Sequence, residues 1–252
     1  MAEIKFSNPP LTEVVCGVAF DAPEFSSVHF GLYWQKIRDR FPATPVDNPP
    51  FVGAGGLLSF SDLPPLRRVW FESSNKKELV QLQADHFYYN WRKQDDQDSY
   101  PHFKNIYPGF IREWEEFCHW WEEDIDLLLI PTQYELTYIN QIDAEFGWKT
   151  PADNQKIFTF EGRNWNGFLS SPSNHVFALQ FALPESFGTL SVSGNQAISP
   201  LNGEPVMVLE LTARSLGIEP DLSAWFNLAH EHIVKGFVDL TQSSIHQDWG
   251  IQ

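Results

Sequence analysis

Residues 100–126, YPHFKNIYPGFIREWEEFCHWWEEDID, carry the strongest periodic pattern in the chain. Large apolar side chains recur there at three- and four-residue steps, and charged residues fill the positions between them, which is typical of an amphipathic helix. Pro108 lies inside the pattern and predicts a kink, or a junction after a first turn. The apolar stripe consists of Phe103, Ile106, Tyr107, Phe110, Trp114, Phe117 and Trp121, and the opposite side holds Arg112, Glu113, Glu116 and Glu123.

Patterns typical of β-strands lie on both sides of this helix. Residues 133–142, QYELTYINQI, alternate in polarity after Pro131. A helix is predicted over residues 26–41, and another after Asp221 or Ser223 that continues to about Thr241. Residues 42–66 are rich in Pro and Gly and predict a long loop. Further strands are predicted at residues 13–20, 68–73, 79–92, 156–160, 176–183, 188–193 and 206–212.

The order of these elements suggests two halves, residues 1–126 and 127–252, each running strand, helix, strands, helix. The halves share no evident sequence identity, so the repeat is one of element order only. Most neighbouring strands are joined by short turns, which favours a mostly antiparallel sheet with helices over one face. The predicted fold class is therefore α+β, with the two halves expected to form one compact unit.

The charge balance limits the classes of partner. The 252 residues include 33 Asp and Glu against 17 Lys and Arg, a net charge of -16. Such a surface repels a nucleic-acid backbone and an anionic membrane, so neither is expected as a partner. The longest aliphatic run, residues 127–130, is too short to span a bilayer, and no secretion signal is evident at the start, so a cytoplasmic location is expected.

Cofactor and metal chemistry have little support in the sequence. Cys16 and Cys118 are the only cysteines, too few for a disulfide framework or a thiolate zinc site. His230 and His232 are two residues apart on a predicted helix, so their imidazoles point in different directions. Asp95, Asp96 and Asp98 lack the spacing of a calcium loop, and residues 53–56, GAGG, precede no helix. We expect no metal and no cofactor.

A cluster of ligand-binding residues is predicted at two strand ends. Asn90, Trp91 and Arg92 combine an amide, an aromatic ring and a guanidinium, which can stack on a flat group and bind an anion. Tyr138 and Asn140 lie at the matching end of another strand, and the two ends face one groove if the halves are related. In the simpler alternative, Trp91 packs under a helix and Arg92 pairs with the acidic side of the long helix.

His230 is a further candidate for this groove. It falls on the same side of the last helix as Phe226, Ile233 and Phe237, and this placement favours a hydrogen-bonded core histidine over a catalytic one.

A protein-docking surface is predicted at Trp120, because adjacent residues on a helix cannot both face the same core. An exposed Trp120 with Glu116 and Glu123 beside it would form an aromatic anchor with an acidic rim, suited to a basic or amphipathic partner. The equally weighted alternative is that Trp120 lies along another element of the same domain.

Several motifs together resemble a sporadically distributed, functionally uncharacterised bacterial protein family of about 250 residues. They are Asn8-Pro9-Pro10-Leu11-x-Glu13, Asn90-Trp91-Arg92 followed by Tyr100-Pro101, Glu135-Leu136-x-Tyr138-x-Asn140, and Ala229-His230-Glu231-x-Ile233. The resemblance spans nearly the whole chain. It implies a bacterial cytoplasmic protein, patchily inherited in the manner of accessory and phage-defence genes, and it assigns no reaction.

Two functions follow from these observations. The leading hypothesis is a non-enzymatic accessory protein that acts through self-association or a protein partner, since aromatics and acids are abundant and no catalytic motif is evident. The alternative is a small-molecule binder or enzyme that uses a groove between sheet and helices.

Overall fold

The chain forms an α+β structure, as the sequence predicts. The computed structural model describes residues 4–48, 67–95, 98–163, 165, 167–199, 203–218 and 221–252. These residues form two compact units: a first unit, Val15–Glu135, and a second unit made of Met1–Val14 together with Leu136–Gln252. Strands β1 and β6 each contribute residues to both units.

Nine strands and five α-helices lie in the described residues. The strands are β1 Leu11–Asp21, β2 Val46–Asn48, β3 Arg68–Glu72, β4 Glu78–Leu82, β5 His86–Arg92, β6 Ile130–Ile142, β7 Val176–Ala182, β8 Gly188–Ile198 and β9 Pro205–Ser215. The helices are α1 Ser27–Ile37, α2 Phe103–His119, α3 Asn154–Ile157, α4 Leu222–Leu240 and α5 Ser243–His246. The strand order is β2-β3-β4-β5-β1-β6-β9-β8-β7.

Short antiparallel hairpins build most of the sheet, which confirms the expectation of a mostly antiparallel arrangement. Strands β2 to β5 pair with their chain neighbours, and so do β7 to β9. The order strand, helix, strands, helix occurs on both sides of residue 126. A structural pseudo-repeat that relates residues 1–126 to residues 127–252 stays a prediction.

Helix α2 packs an aromatic core within the first unit. Phe117 is fully buried, and its ring centroid lies 5.4 Å from that of Phe20, 5.2 Å from Phe87 and 5.2 Å from Tyr33. Pro108 lies within α2, which is continuous from Phe103 to His119, so it marks no junction. The buried face of α2 corresponds to the predicted apolar stripe.

Both tryptophans at the end of this helix are buried, contrary to the expectation of an exposed Trp120. Trp120 is 3% exposed and Trp121 is 0% exposed. Residues Trp120–Asp124 form a π-helical turn, in which Trp120 contacts Tyr33 and Trp121 stacks on Phe25. Adjacent residues on a helix point in different directions, and each of these two tryptophans has its own aromatic neighbour. Trp120 is therefore packed inside the unit and is not a docking anchor.

The acidic side of α2 is also partly buried. Glu113 is 0% exposed, and its carboxylate accepts hydrogen bonds from Arg40 Nε at 3.0 Å and Nη2 at 2.9 Å and from Arg112 Nε at 2.9 Å. Arg40 also pairs with Glu116. Charged partners on both sides stabilise a carboxylate that the helical pattern alone places in solvent.

Three local predictions are wrong. The strand predicted over residues 79–92 is two strands, β4 and β5, because the chain turns at residues 83–85. Residues 156–160, predicted as a strand, contain the end of α3 and one bridge at Phe158. Within the predicted loop 42–66, residues 46–48 form β2, and residues 49–66, including the GAGG stretch, lie outside the described residues.

In the second unit, helix α4 begins as predicted. The side chain of Asp221 accepts a hydrogen bond from the backbone N–H of Ala224 at 2.8 Å. This cap satisfies one of the donors that every helix start leaves open. The buried face of α4 consists of Trp225, Phe226, Ala229, Ile233 and Phe237.

Substitution of Gly109 in α2 tests how closely the side chains of the first unit are packed. A Cβ at Gly109 would overlap the hydroxyl of Tyr89, whereas a Cβ at Gly31 of α1 meets no atom within 4 Å. We expect Gly31→Ala to stabilise the protein by about 1 kcal/mol through helix propensity. Gly109→Ala should instead destabilise it by about 1 to 3 kcal/mol, because Tyr89 must move. Urea unfolding of both variants measures the difference, and equal effects would contradict this packing.

Candidate functional site

Strands β3, β4 and β5 present two chemically different faces. Successive side chains on a strand point to opposite sides. Phe87 and Trp91 are on one side, where Phe87 contacts Trp114 of α2 and Trp91 contacts Tyr100. The other side, here called the polar face, carries Trp70, Glu72, Gln81, Tyr88, Asn90 and Arg92, together with the buried Leu79.

The strand register places these polar-face residues next to one another. Gln81 of β4 is directly opposite Trp70 of β3 and Tyr88 of β5. Its side-chain Nε2 donates to Asn90 Oδ1 at 2.7 Å. Both amides are buried, with Gln81 6% and Asn90 1% exposed. A buried hydrogen bond between two amides therefore lies at the centre of the polar face.

A close approach between β1 and β5 fixes the position of Tyr88. A Cβ built on Gly17 would lie 2.5 Å from Cδ1 and Cε1 of the Tyr88 ring, so only glycine leaves room for it. The ring of His86 stacks on the Tyr88 ring, with centroids 5.6 Å apart. Tyr88 thus contacts both Gly17 of β1 and His86 of its own strand.

Arg92 forms an ion pair, but with a different partner from the one predicted. Its Nη2 donates to Glu72 Oε1 at 2.6 Å and to the carbonyl oxygen of Lys76 at 3.1 Å. The acidic side of α2 was expected instead; β5 alternation directs Arg92 to the face that carries Glu72 of β3. Its Cζ atom lies 5.8 Å from the centroid of the Trp70 ring.

Three buried polar atoms of this face have no hydrogen-bond partner: Nε1 of Trp70, Oε1 of Gln81 and Nε of Arg92. An unsatisfied buried polar atom costs about 1 to 3 kcal/mol. Such atoms are rare in folded proteins, and here they occur on three adjacent strands. The side-chain pattern of the sequence suggested Arg92 and Asn90, but it gave no sign of Trp70 or Gln81, which only the strand register brings beside them.

The other predicted ligand residues belong to the second unit. Tyr138 Oη and His230 Nδ1 are 2.7 Å apart and share a hydrogen bond. Asn140 is 4% exposed and donates to the carbonyl oxygen of Leu209 at 3.2 Å. His230 is half-buried, and a ligand-binding role for it stays a prediction. Trp91, in the first unit, is 8% exposed and packs on the face that carries Phe87.

The acidic residues predicted around Trp120 are paired within the first unit. Glu116 pairs with Arg40, and Glu123 Oε2 lies 3.2 Å from Nε2 of His119. With Trp120 buried, Glu116 and Glu123 do not surround an aromatic anchor.

Neither cysteine has the properties of a nucleophile. Burial raises the pKa of the Cys16 thiol far above its ordinary value. Burial, together with Glu122 and Glu115, raises the pKa of Cys118 to about 12. Both thiols are therefore protonated near neutral pH. In the described part of the chain, no group of three His, Cys, Asp or Glu side chains could hold a metal ion, and no helix is long and apolar enough to cross a membrane.

An open groove of about 770 Å³ lies in the second unit and is lined mainly by α4 and the segment that follows it, with Leu183 and Leu190 beside them. His246 lies at its edge and is 5% exposed. The Thr241 hydroxyl donates to the carbonyl oxygen of Phe237 at 2.6 Å, so His246 Nε2, 2.8 Å from the same hydroxyl oxygen, is the donor of that pair. His246 therefore holds the Thr241 side chain at the end of α4.

No protein-family model, curated protein or solved structure matches this chain.

His246 predicts a pH dependence of stability. Its pKa is lowered by burial, so the unfolded chain takes up a proton near the ordinary histidine pKa while the folded protein resists protonation. Stability is therefore complete above about pH 6.5 and falls as the pH decreases below it. We expect His246→Gln to show a smaller loss of unfolding free energy between about pH 7.5 and pH 5.5 than the wild type. A wild-type loss of unfolding free energy over this pH range in His246→Gln would contradict the assignment.

Proposed function

We propose that the protein binds a small planar ligand on the polar face of β3, β4 and β5. The observation that carries this proposal is the set of three buried atoms without partners on Trp70, Gln81 and Arg92. A ligand that satisfied them would recover part of the free energy that their burial costs. The proposal develops the small-molecule alternative from the sequence, but locates binding on the sheet face opposite Phe87 and Trp91.

The three atoms define the hydrogen-bonding pattern of the ligand. Trp70 on β3 and Arg92 on β5 each offer an N–H donor, and Gln81 on the strand between them offers a carbonyl acceptor. The complementary ligand edge reads acceptor, donor, acceptor, which is the edge of an imide such as the one in uracil. Glu72 already balances the charge of Arg92, and this favours an uncharged ligand edge.

Binding requires a side-chain movement, because the three atoms are occluded in the structure. Trp70 is half-buried, and the side chain of Arg92 is 18% exposed. These two residues are more exposed than Gln81, and we infer that rotation of one of them opens the Gln81 acceptor. The ligand would then replace an occluded, unsatisfied arrangement by a satisfied one.

Calorimetry with uridine and cytidine tests the proposal. Uridine carries the imide edge, whereas the corresponding edge of cytidine reads acceptor, acceptor, donor. We expect uridine to bind and cytidine to bind at least about tenfold more weakly, since a mismatched edge leaves buried groups unpaired. Equal binding of the two nucleosides, or binding of neither, would overturn the proposal.

Two matched Trp→Phe variants locate the ligand. Trp70→Phe keeps a ring but removes the unpartnered N–H, and we expect about tenfold weaker uridine binding with no loss of stability. Trp34→Phe removes a comparable N–H that donates to the carbonyl oxygen of Phe41 at 3.2 Å. This control should lose about 1 kcal/mol of stability and retain uridine binding. Unchanged uridine affinity in Trp70→Phe would place the ligand elsewhere.

The accessory function expected from the sequence, through self-association or a protein partner, is compatible with ligand binding. The relation of the chain to bacterial phage defence remains a prediction, and so does the expectation that it is not an enzyme.

A further inference from the structure

Strand β7, Val176–Ala182, is the last strand in the sheet order, and among the described residues no strand pairs with its outer edge. Its sequence, VFALQFA, contains no charged residue, no proline and no glycine. Val176 is 66% exposed and Phe181 is 41% exposed. Proteins commonly protect such an edge with charges, proline or a bulge, because an open edge pairs readily with another strand. Residues 176–182 are protected neither by a charge nor by a proline.

The backbone groups of β7 alternate between the two edges of the strand. The N–H of Leu183 donates to the carbonyl oxygen of Gly188, and residues 183 and 188 are opposite each other in the β7–β8 register. Antiparallel strands alternate hydrogen-bonded and non-hydrogen-bonded pairs. Phe177, Leu179 and Phe181 therefore bond toward β8. The backbone groups of the even-numbered residues, Val176, Ala178, Gln180 and Ala182, face the open edge.

We propose that β7 pairs antiparallel with β7 of a second copy of the chain, across a twofold axis at Leu179. In this register Val176 is opposite Ala182 and Ala178 is opposite Gln180, so every outward backbone group meets an outward group. Phe177 is opposite Phe181, which places aromatic side chains in cross-strand contact. The strand is thus complementary to itself over all seven residues.

The net charge of the protein favours β7 over the rest of the surface as the place where two copies meet. Each chain carries a net charge of -16, so two copies repel each other over most of their surface. β7 is an uncharged segment with exposed apolar side chains, whereas the opposite end of the sheet, β2, is three residues long and contains Asp47. Dimerisation through β7 should therefore strengthen as salt screens the remaining repulsion.

Cysteine cross-linking tests the register directly. On a twofold axis Leu179 faces its own copy as a non-hydrogen-bonded pair, with Cα atoms about 4.5 Å apart, which suits a disulfide. Ala178 is displaced from its own copy by two residues, more than about 7 Å, which does not. We expect Leu179→Cys to form disulfide-linked dimers under mild oxidation. Ala178→Cys should remain at the wild-type background set by Cys16 and Cys118.

A proline variant tests whether the outer edge carries the association. The outward N–H of Ala178 makes no bond to β8, so Ala178→Pro should fold while it blocks the new strand pair. We expect sedimentation to show at least about tenfold weaker dimerisation, with an unchanged circular dichroism spectrum. The control is a matched pair of charges, Val176→Lys on β7 and Val46→Lys on β2, of which only the first should weaken the dimer.

A wild-type protein that remains monomeric at about 100 μM in about 0.5 M salt overturns the proposal. Cross-linking of Ala178→Cys as efficient as that of Leu179→Cys overturns the register, and with it the twofold pairing. A monomeric protein that binds a strand of another protein at β7 would also overturn it, since the occupant would then be a partner and not a second copy.

Discussion

The contact of Phe117 with the strands beneath α2 is the interaction on which the first unit depends. Its ring lies within 6.3 Å, centroid to centroid, of Phe20, Tyr33, Phe87, Trp114, Trp120 and Trp121. Burial of such rings supplies the largest apolar area per residue and so dominates the packing free energy. This aromatic packing places one face of β4 and β5 against α2. Because side chains alternate along each strand, the remaining side chains lie on the opposite face.

That opposite face is the polar face. Gln81 and Asn90 are buried on it and bond to each other, yet Gln81 keeps an acceptor without a partner, as Trp70 and Arg92 keep a donor each. Gly17 shows how closely β1 approaches this face, since the Tyr88 ring occupies the space of its missing side chain. Tight packing around unsatisfied polar atoms is a combination that stability alone does not favour, and for this reason we connect it with binding.

Several polar side chains of the second unit are paired with one another or with the backbone. The Tyr138–His230, Asn140–Leu209 and Thr241–His246 hydrogen bonds pair groups that could otherwise be candidates for ligand binding. Its candidate for an interaction is the outer edge of β7, an uncharged strand that carries apolar side chains and ends the sheet order. Ligand binding in one unit and strand pairing in the other rest on separate observations and do not require each other.

The sequence by itself determined the α+β class, the long amphipathic helix, its apolar stripe and most of the strands, since side-chain periodicity reports directly which face of an element is buried. It also marked Asn90 and Arg92. Only the tertiary structure decided that Trp120 is buried, that Glu113 lies inside an arginine network, and that Arg92 pairs with Glu72. Periodicity describes one element at a time, whereas the juxtaposition of Trp70, Gln81 and Arg92 depends on the register between three strands, which no single strand encodes.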